Sequence, residues 1–187
     1  SISSAERAQR SGHKPCTVWL TGLPRSGKTP LALALERALF DRGHSPHLLT
    51  GSNLRAGISA DLGFSADDRR ENIRRAAALA RWAGDLGFVT IAVFASPYAA
   101  DRAAAKAAIG AAAFVEVYCT APKEICAQRD PQLYARAAAG ELPDFTGISA
   151  PYEPPAAPDL CFAVHEQAVA QGVDAVIALL RQRGFIA

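Results

Sequence analysis

At 187 residues the chain has the length of one domain with room for a substantial core. Half of the residues are hydrophobic, a fifth are charged and the net charge is +2, which gives no electrostatic case for a nucleic-acid or membrane partner. No apolar run approaches the length of a membrane span, and no signal-peptide pattern opens the sequence. Cys16, Cys119, Cys126 and Cys161 form neither a C-x-x-C pair nor a Cys/His cluster, so they read as reduced, mostly buried thiols of a cytoplasmic protein.

Ser1 to Pro15 is polar, with a short helix expected at Ala5 to Arg10, and reads as an arm or interdomain linker ahead of one domain at 16–187. The chain contains no Met, which fits either a removed initiator or a domain excised from a longer polypeptide. Thr17 to Leu20 is a short apolar strand. Gly22 to Thr29 fits G-x-x-x-x-G-K-[ST], and Leu31, Leu33, Leu35, Ala38 and Leu39 give helical periodicity as far as Arg42-Gly43. A strand turning sharply into a helix lets backbone N–H groups converge on a phosphate chain. Gly22, Arg25, Ser26, Gly27, Lys28 and Thr29 are therefore the expected ATP-phosphate residues, with Lys28 against the transferred group and Thr29 on a magnesium ion that arrives with ATP.

His47 to Leu49 is a second strand and Asp67 to Leu86 an amphipathic helix with acidic residues at its positive end. Phe88 to Ala95 is a continuous apolar run, as a central parallel strand requires. A helix over 101–113, a strand over 114–119 and a short helix over 122–129 follow. Asp130 to Pro158 is rich in Pro, Gly and charge and reads as a lid or irregular loop, before a last strand (160–164) and a closing helix (166–183). The alternation predicts an α/β fold of the P-loop NTPase type: a doubly wound parallel sheet with helices on both faces and a lid segment.

Four stretches, DLGFSADDRRENIRR (61–75), FASPYAADR (94–102), FVEVYC (114–119) and FTGISAPYEPP (145–155), closely resemble adenylylsulfate kinase. The likeness runs from about Lys14 to about Phe162. It implies transfer of the terminal phosphoryl group of ATP to the 3′-hydroxyl of adenylyl sulfate, with magnesium as the metal. It also implies that Arg55, Arg69 and Asn72 grip adenylyl sulfate and that Phe64 stacks on its adenine. An anionic mononucleotide does need guanidinium forks and a flat apolar face. Taken without the resemblance, Arg69, Arg70, Arg74 and Arg75 read as a solvated helix face balanced by Asp67, Asp68 and Glu71. Ser96 either meets the phosphates, as the resemblance implies, or only turns the chain before Pro97.

The chain departs from the family pattern at the chemistry. Thr50-Gly51-Ser52-Asn53 stands where the family has Asp-Gly-Asp-Asn, so both carboxylates that organise the metal and accept the hydroxyl proton are replaced. Hydroxyls are poor bases near neutral pH, and a lost base costs about 10²- to 10⁴-fold in rate. Pro24 and Arg25 replace Ser and Gly, which removes a backbone donor and places Arg where a left-handed backbone costs roughly 1 kcal/mol or more. Pro30 removes another amide, and the lid at 130–134 is one residue shorter, with Pro143-Asp144 in place of basic positions. Two readings follow: a slow adenylylsulfate kinase, or a kinase-like domain without turnover that serves a regulatory, substrate-binding or structural role. The resemblance also implies an ATP sulfurylase domain or subunit as partner, and a homo-oligomer. An unrelated small-molecule kinase is disfavoured by the 61–75 block.

Overall fold

A computed structural model describes residues 2–187. Five parallel strands make the sheet: β1 (Cys16–Thr21), β2 (Pro46–Thr50), β3 (Val89–Val93), β4 (Phe114–Thr120) and β5 (Leu160–Ala163), in the order β2-β3-β1-β4-β5. β1 lies at the centre, with Val18 opposite Ile91 on one side and Val115 on the other. Every residue of β1 and β3 is buried, as expected of strands covered on both faces.

Each face of the sheet carries its own core. On one, α2 (Lys28–Asp41) and α8 (Val169–Gln182) pack Leu31, Leu35, Leu39, Val176 and Leu180 against Val18, Leu20 and Ile91. On the other, α4 (Ala66–Asp85) and α5 (Ala99–Ile109) enclose Trp19, which is fully buried. Its ring stacks on Phe94 with centroids 5.1 Å apart and meets Phe114 at 5.7 Å. Ala76, Ala77 and Ala80 form the inner face of α4, and side chains this small leave space for so large a ring.

Two helices lie where the sequence pattern shows none. α3 (Gly51–Arg55) follows β2 directly, capped by the Thr50 hydroxyl, which accepts from the Asn53 amide at 3.1 Å. α7 (Pro131–Ala138) occupies the start of the stretch expected as irregular lid, one residue after α6 (Lys123–Arg129). Pro131 stands in its first turn, where a missing N–H costs nothing, and Asp130 caps it by accepting from the Leu133 amide. At the N-terminus α1 (Ser4–Ser11) is followed by His13, whose buried ring reaches the Gly87 carbonyl at 3.0 Å, and by Lys14, whose amide donates to the Phe185 carbonyl. The segment before β1 is thus pinned to the end of the sheet opposite the phosphate loop.

Candidate active site

The loop between β1 and α2 turns through three left-handed residues: Gly22 at φ 150°, Arg25 at φ 63° and Gly27 at φ 104°. A Cβ on Gly22 would lie 2.4 Å from the Cys119 carbonyl oxygen, and one on Gly27 would lie 2.2 Å from the Val164 side chain. Neither position admits a side chain. Arg25 accepts the conformation that its place in the loop demands. Pro30 falls in the first turn of α2, and the Leu31 amide still reaches the Gly27 carbonyl at 3.3 Å. Lys28 is only 8% exposed and its ammonium donates to the Gly22 and Leu23 carbonyls at 2.8 and 2.7 Å. Burial pulls its pKa down from 10.5 to about 8. Thr29 is exposed at the head of α2.

Across the cleft, Thr50 at the end of β2 and Ser52 at the start of α3 have hydroxyls 3.0 Å apart. Phe64, half exposed, has two guanidinium groups near its ring, Arg55 at 4.4 Å and Arg69 at 5.5 Å from the ring centre. Arg55 donates to the Gly63 carbonyl, and Arg69 to the Phe64 carbonyl at 2.9 Å and the Asp144 carbonyl at 2.6 Å. Burial lowers the pKa of both arginines. Asn72 is 2% exposed, and its Oδ1 has no protein partner although it lines the cleft. A buried amide oxygen without a donor is costly unless a ligand or water completes it.

Ser96 also lines the cleft, yet its hydroxyl is engaged within the protein. It accepts from Trp19 Nε1 at 3.2 Å and donates to Thr21 Oγ1 at 2.9 Å, and its backbone is left-handed at φ 39°.

One cavity of about 1170 Å³, lined by Arg25, Lys28, Thr29, Thr50, Ser52 and Asn72 among others, joins the phosphate loop to Phe64. Arg25, Lys28, Arg55, Arg69 and Arg129 line it, and Asp144 is the one carboxylate among its described lining residues. Five cations against one anion, in a chain of net charge +2, concentrate positive potential where a polyanion would lie. The cavity has the phosphate loop at one end and Phe64 at the other.

Residues 14–163 match the family model of adenylylsulphate kinase. An adenylyl-sulfate kinase of Geotalea uraniireducens is 45% identical over 184 residues, which cover 98% of this chain and 88% of that protein. The chain belongs to the adenylylsulfate kinase family. An APS kinase of Mycobacterium tuberculosis, solved in complex with AMPPNP and APS, superposes with a TM-score of 0.86 at 43% identity, over 90% of this chain and 99% of that one. A hexameric APS kinase from Thiobacillus denitrificans gives 0.72 at 26% identity, over 98% of this chain but 32% of that longer chain.

Within this kinase family frame, several site-building residues carry no motif that sequence reasoning could use. Tyr134 donates to the Pro24 carbonyl at 2.7 Å, and Arg129 donates to the Arg25 carbonyl at 3.0 Å. Both act on main-chain atoms, which accept from any donor and so leave no pattern at the receiving position. Among the described residues no group of three or more His, Cys, Asp or Glu could cage a metal. Thr29, Thr50 and Ser52 offer hydroxyl oxygens only. That set fits a magnesium ion which keeps its waters and is held chiefly by nucleotide phosphates.

Proposed function

We propose that the protein is an adenylylsulfate kinase of sulfate activation, transferring the γ-phosphoryl group of ATP to the 3′-hydroxyl of adenylyl sulfate, and that it does so slowly. The observation that carries this reading is the single cationic cavity linking the phosphate loop to Phe64 and the unpartnered Asn72 Oδ1. Gly22 to Thr29 would take the ATP phosphates, with Lys28 moving from its loop carbonyls onto the transferred group. Phe64 would stack on the adenine of adenylyl sulfate, Arg55 and Arg69 would hold its anionic linkage, and Asn72 would complete its hydrogen bonds on the nucleotide.

The attacking 3′-oxygen forms a bond to the γ-phosphorus as the bond to the bridging oxygen of ADP breaks, and the hydroxyl proton leaves to water. Thr29 would help hold a magnesium ion arriving with ATP, which would supply charge neutralisation to the triphosphate. Low rate follows from the acceptor side. Thr50 already caps α3 and shares its hydroxyl with Ser52, so neither is a base near neutral pH.

The same shortage of carboxylates favours a second reading: a domain that binds adenylyl sulfate without turnover, attached to or assembled with ATP sulfurylase. The hexameric APS kinase from Thiobacillus denitrificans, of which this chain covers 32%, is a longer polypeptide that contains a region of this fold.

Calorimetric titration with magnesium AMPPNP and with adenylyl sulfate, followed by a coupled kinase assay, separates the two. The kinase reading expects both to bind. It also expects the T50D/S52D double variant to gain at least tenfold in kcat, towards the roughly 10²- to 10⁴-fold that a positioned base supplies. Asp caps a helix as well as Thr, so that variant should fold normally. Binding of adenylyl sulfate alone, with no gain in rate, would establish the second reading.

A further inference from the structure

Residues 24 and 25 of the phosphate loop are tied to one corner of the molecule, the junction between α6 and α7. Tyr134 Oη donates to the Pro24 carbonyl and Arg129 Nη1 to the Arg25 carbonyl. The third tie comes from the loop itself. Arg25 Nε and Nη2 both reach Asp130 Oδ2, at 2.8 and 2.7 Å. Asp130 uses its other oxygen, Oδ1, to accept from the Leu133 amide at 3.1 Å and so starts α7. One carboxylate therefore joins the loop's side chain to the first turn of the lid. The lid stretch is held independently near its middle, where Arg69 donates to the Asp144 carbonyl.

We propose that Arg25 is a positioning residue whose ion pair with Asp130 latches the phosphate loop to the lid helix α7, so that the order of the loop and closure of the lid over the nucleotide are coupled. Its left-handed backbone at φ 63° would favour glycine at this position. A side chain here therefore needs a compensating contact, and the Asp130 carboxylate provides one. Tyr134 and Arg129 grip carbonyls from outside and hold the loop's path. The Arg25 pair is the tie through which displacement of the loop is passed to the cap of α7. Arg25 is 58% exposed, so the pair is screened by salt and worth a few-fold rather than orders of magnitude. This inference rests on the kinase reading for its purpose, while the latch itself can be measured without turnover.

The test uses the full chain in four forms: wild type, Arg25→Ala, Asp130→Asn, and the double variant. Asn at 130 still caps α7, so the second variant removes charge without melting the helix. Amide exchange over 131–146 reads the latch directly, and the calorimetric Kd for magnesium AMPPNP reads its consequence. Each single variant should accelerate exchange in the first turns of α7 and weaken AMPPNP about two- to fivefold, and the double variant should be no worse than either. Arg25→Lys should recover part of both effects, and high salt should bring wild type toward the variants. Unchanged exchange in both single variants, or effects that add in the double, would overturn the latch. If wild type binds no AMPPNP, the kinase reading fails and the exchange data alone decide the latch.

Discussion

Lys28 shows how one residue can set the pH range of the site. Its ammonium is buried among the Gly22 and Leu23 carbonyls, and burial brings its pKa from 10.5 to about 8. In an ATP saturation series, kcat/KM reports ionisations of the free enzyme. It should fall as pH rises through about 8, because the neutral amine no longer attracts the triphosphate, and Lys28→Met should remove that limb together with most activity. Stability runs the other way. The folded pKa lies below the unfolded value, so the unfolded chain holds the proton more tightly. The cost of burying the charge is full below about 8 and is gone above 10.5, so urea midpoints should rise across that window in wild type and less so in Lys28→Met. At this scale the phosphate loop was the most legible part of the sequence, since eight residues between an apolar strand and a periodic helix leave little freedom. Phe64, Arg55, Arg69 and Asn72 were singled out only through family resemblance. Nothing in the spacing of 61–75 separates a substrate-binding arginine from a solvated one, because Arg74 and Arg75, which pair with Glu71 and Asp61, carry the same chemistry.

Among the elements, the strands were readable because parallel strands buried on both faces must be largely apolar, as β1 and β3 are apart from the buried Thr17, Thr21 and Thr90. The two unforeseen helices had quieter signals. α3 is five residues long, too short for any period, and rests on a single Thr50 cap. α7 sits in a stretch whose Pro131 and Gly140 look like loop punctuation, yet Asp130-Pro131 is a capping residue followed by Pro in the first turn, a helix start. Packing between elements is where a single atom tells. Gly172 of α8 faces Phe162 of β5, and a Cβ there would stand 2.7 Å from two ring carbons and 3.0 Å from Leu31 Cδ1. Alanine gains about 1 kcal/mol in helix propensity over glycine. Overpacking against a ring that is itself buried costs about 1–3 kcal/mol, so the steric effect wins. Gly172→Ala should lower the urea midpoint with an unchanged m value. A raised midpoint would mean that α8 slides freely over the sheet.

At the scale of the whole molecule, one buried arginine joins the sheet, α5 and the exit of the lid. Arg102 is 4% exposed and lies on α5, 3.1 Å from the Glu116 carboxylate on β4. Its two terminal nitrogens donate to the Ser96 carbonyl and the Glu153 carbonyl, each at 2.7 Å. The first bond holds the left-handed turn at the end of β3, where Ser96 binds Trp19 and Thr21. The second holds the chain as it leaves the lid, where Glu153 also accepts from the Ala99 amide at the start of α5. Burial raises the Glu116 pKa, and the arginine opposes that shift by keeping the carboxylate charged. Removing the cation strands that carboxylate and two carbonyl oxygens at once. Breaking a buried pair from one side costs about 3–5 kcal/mol, a large share of the roughly 5–15 kcal/mol that holds a domain together. Arg102→Met should therefore unfold at markedly lower urea. Glu116→Gln added to it should recover part of the loss, since a neutral amide no longer needs the cation. If the double variant is no more stable than Arg102→Met, the cost lies in the two carbonyls rather than the ion pair. The arginine would then act as a main-chain clamp between the cleft and the lid.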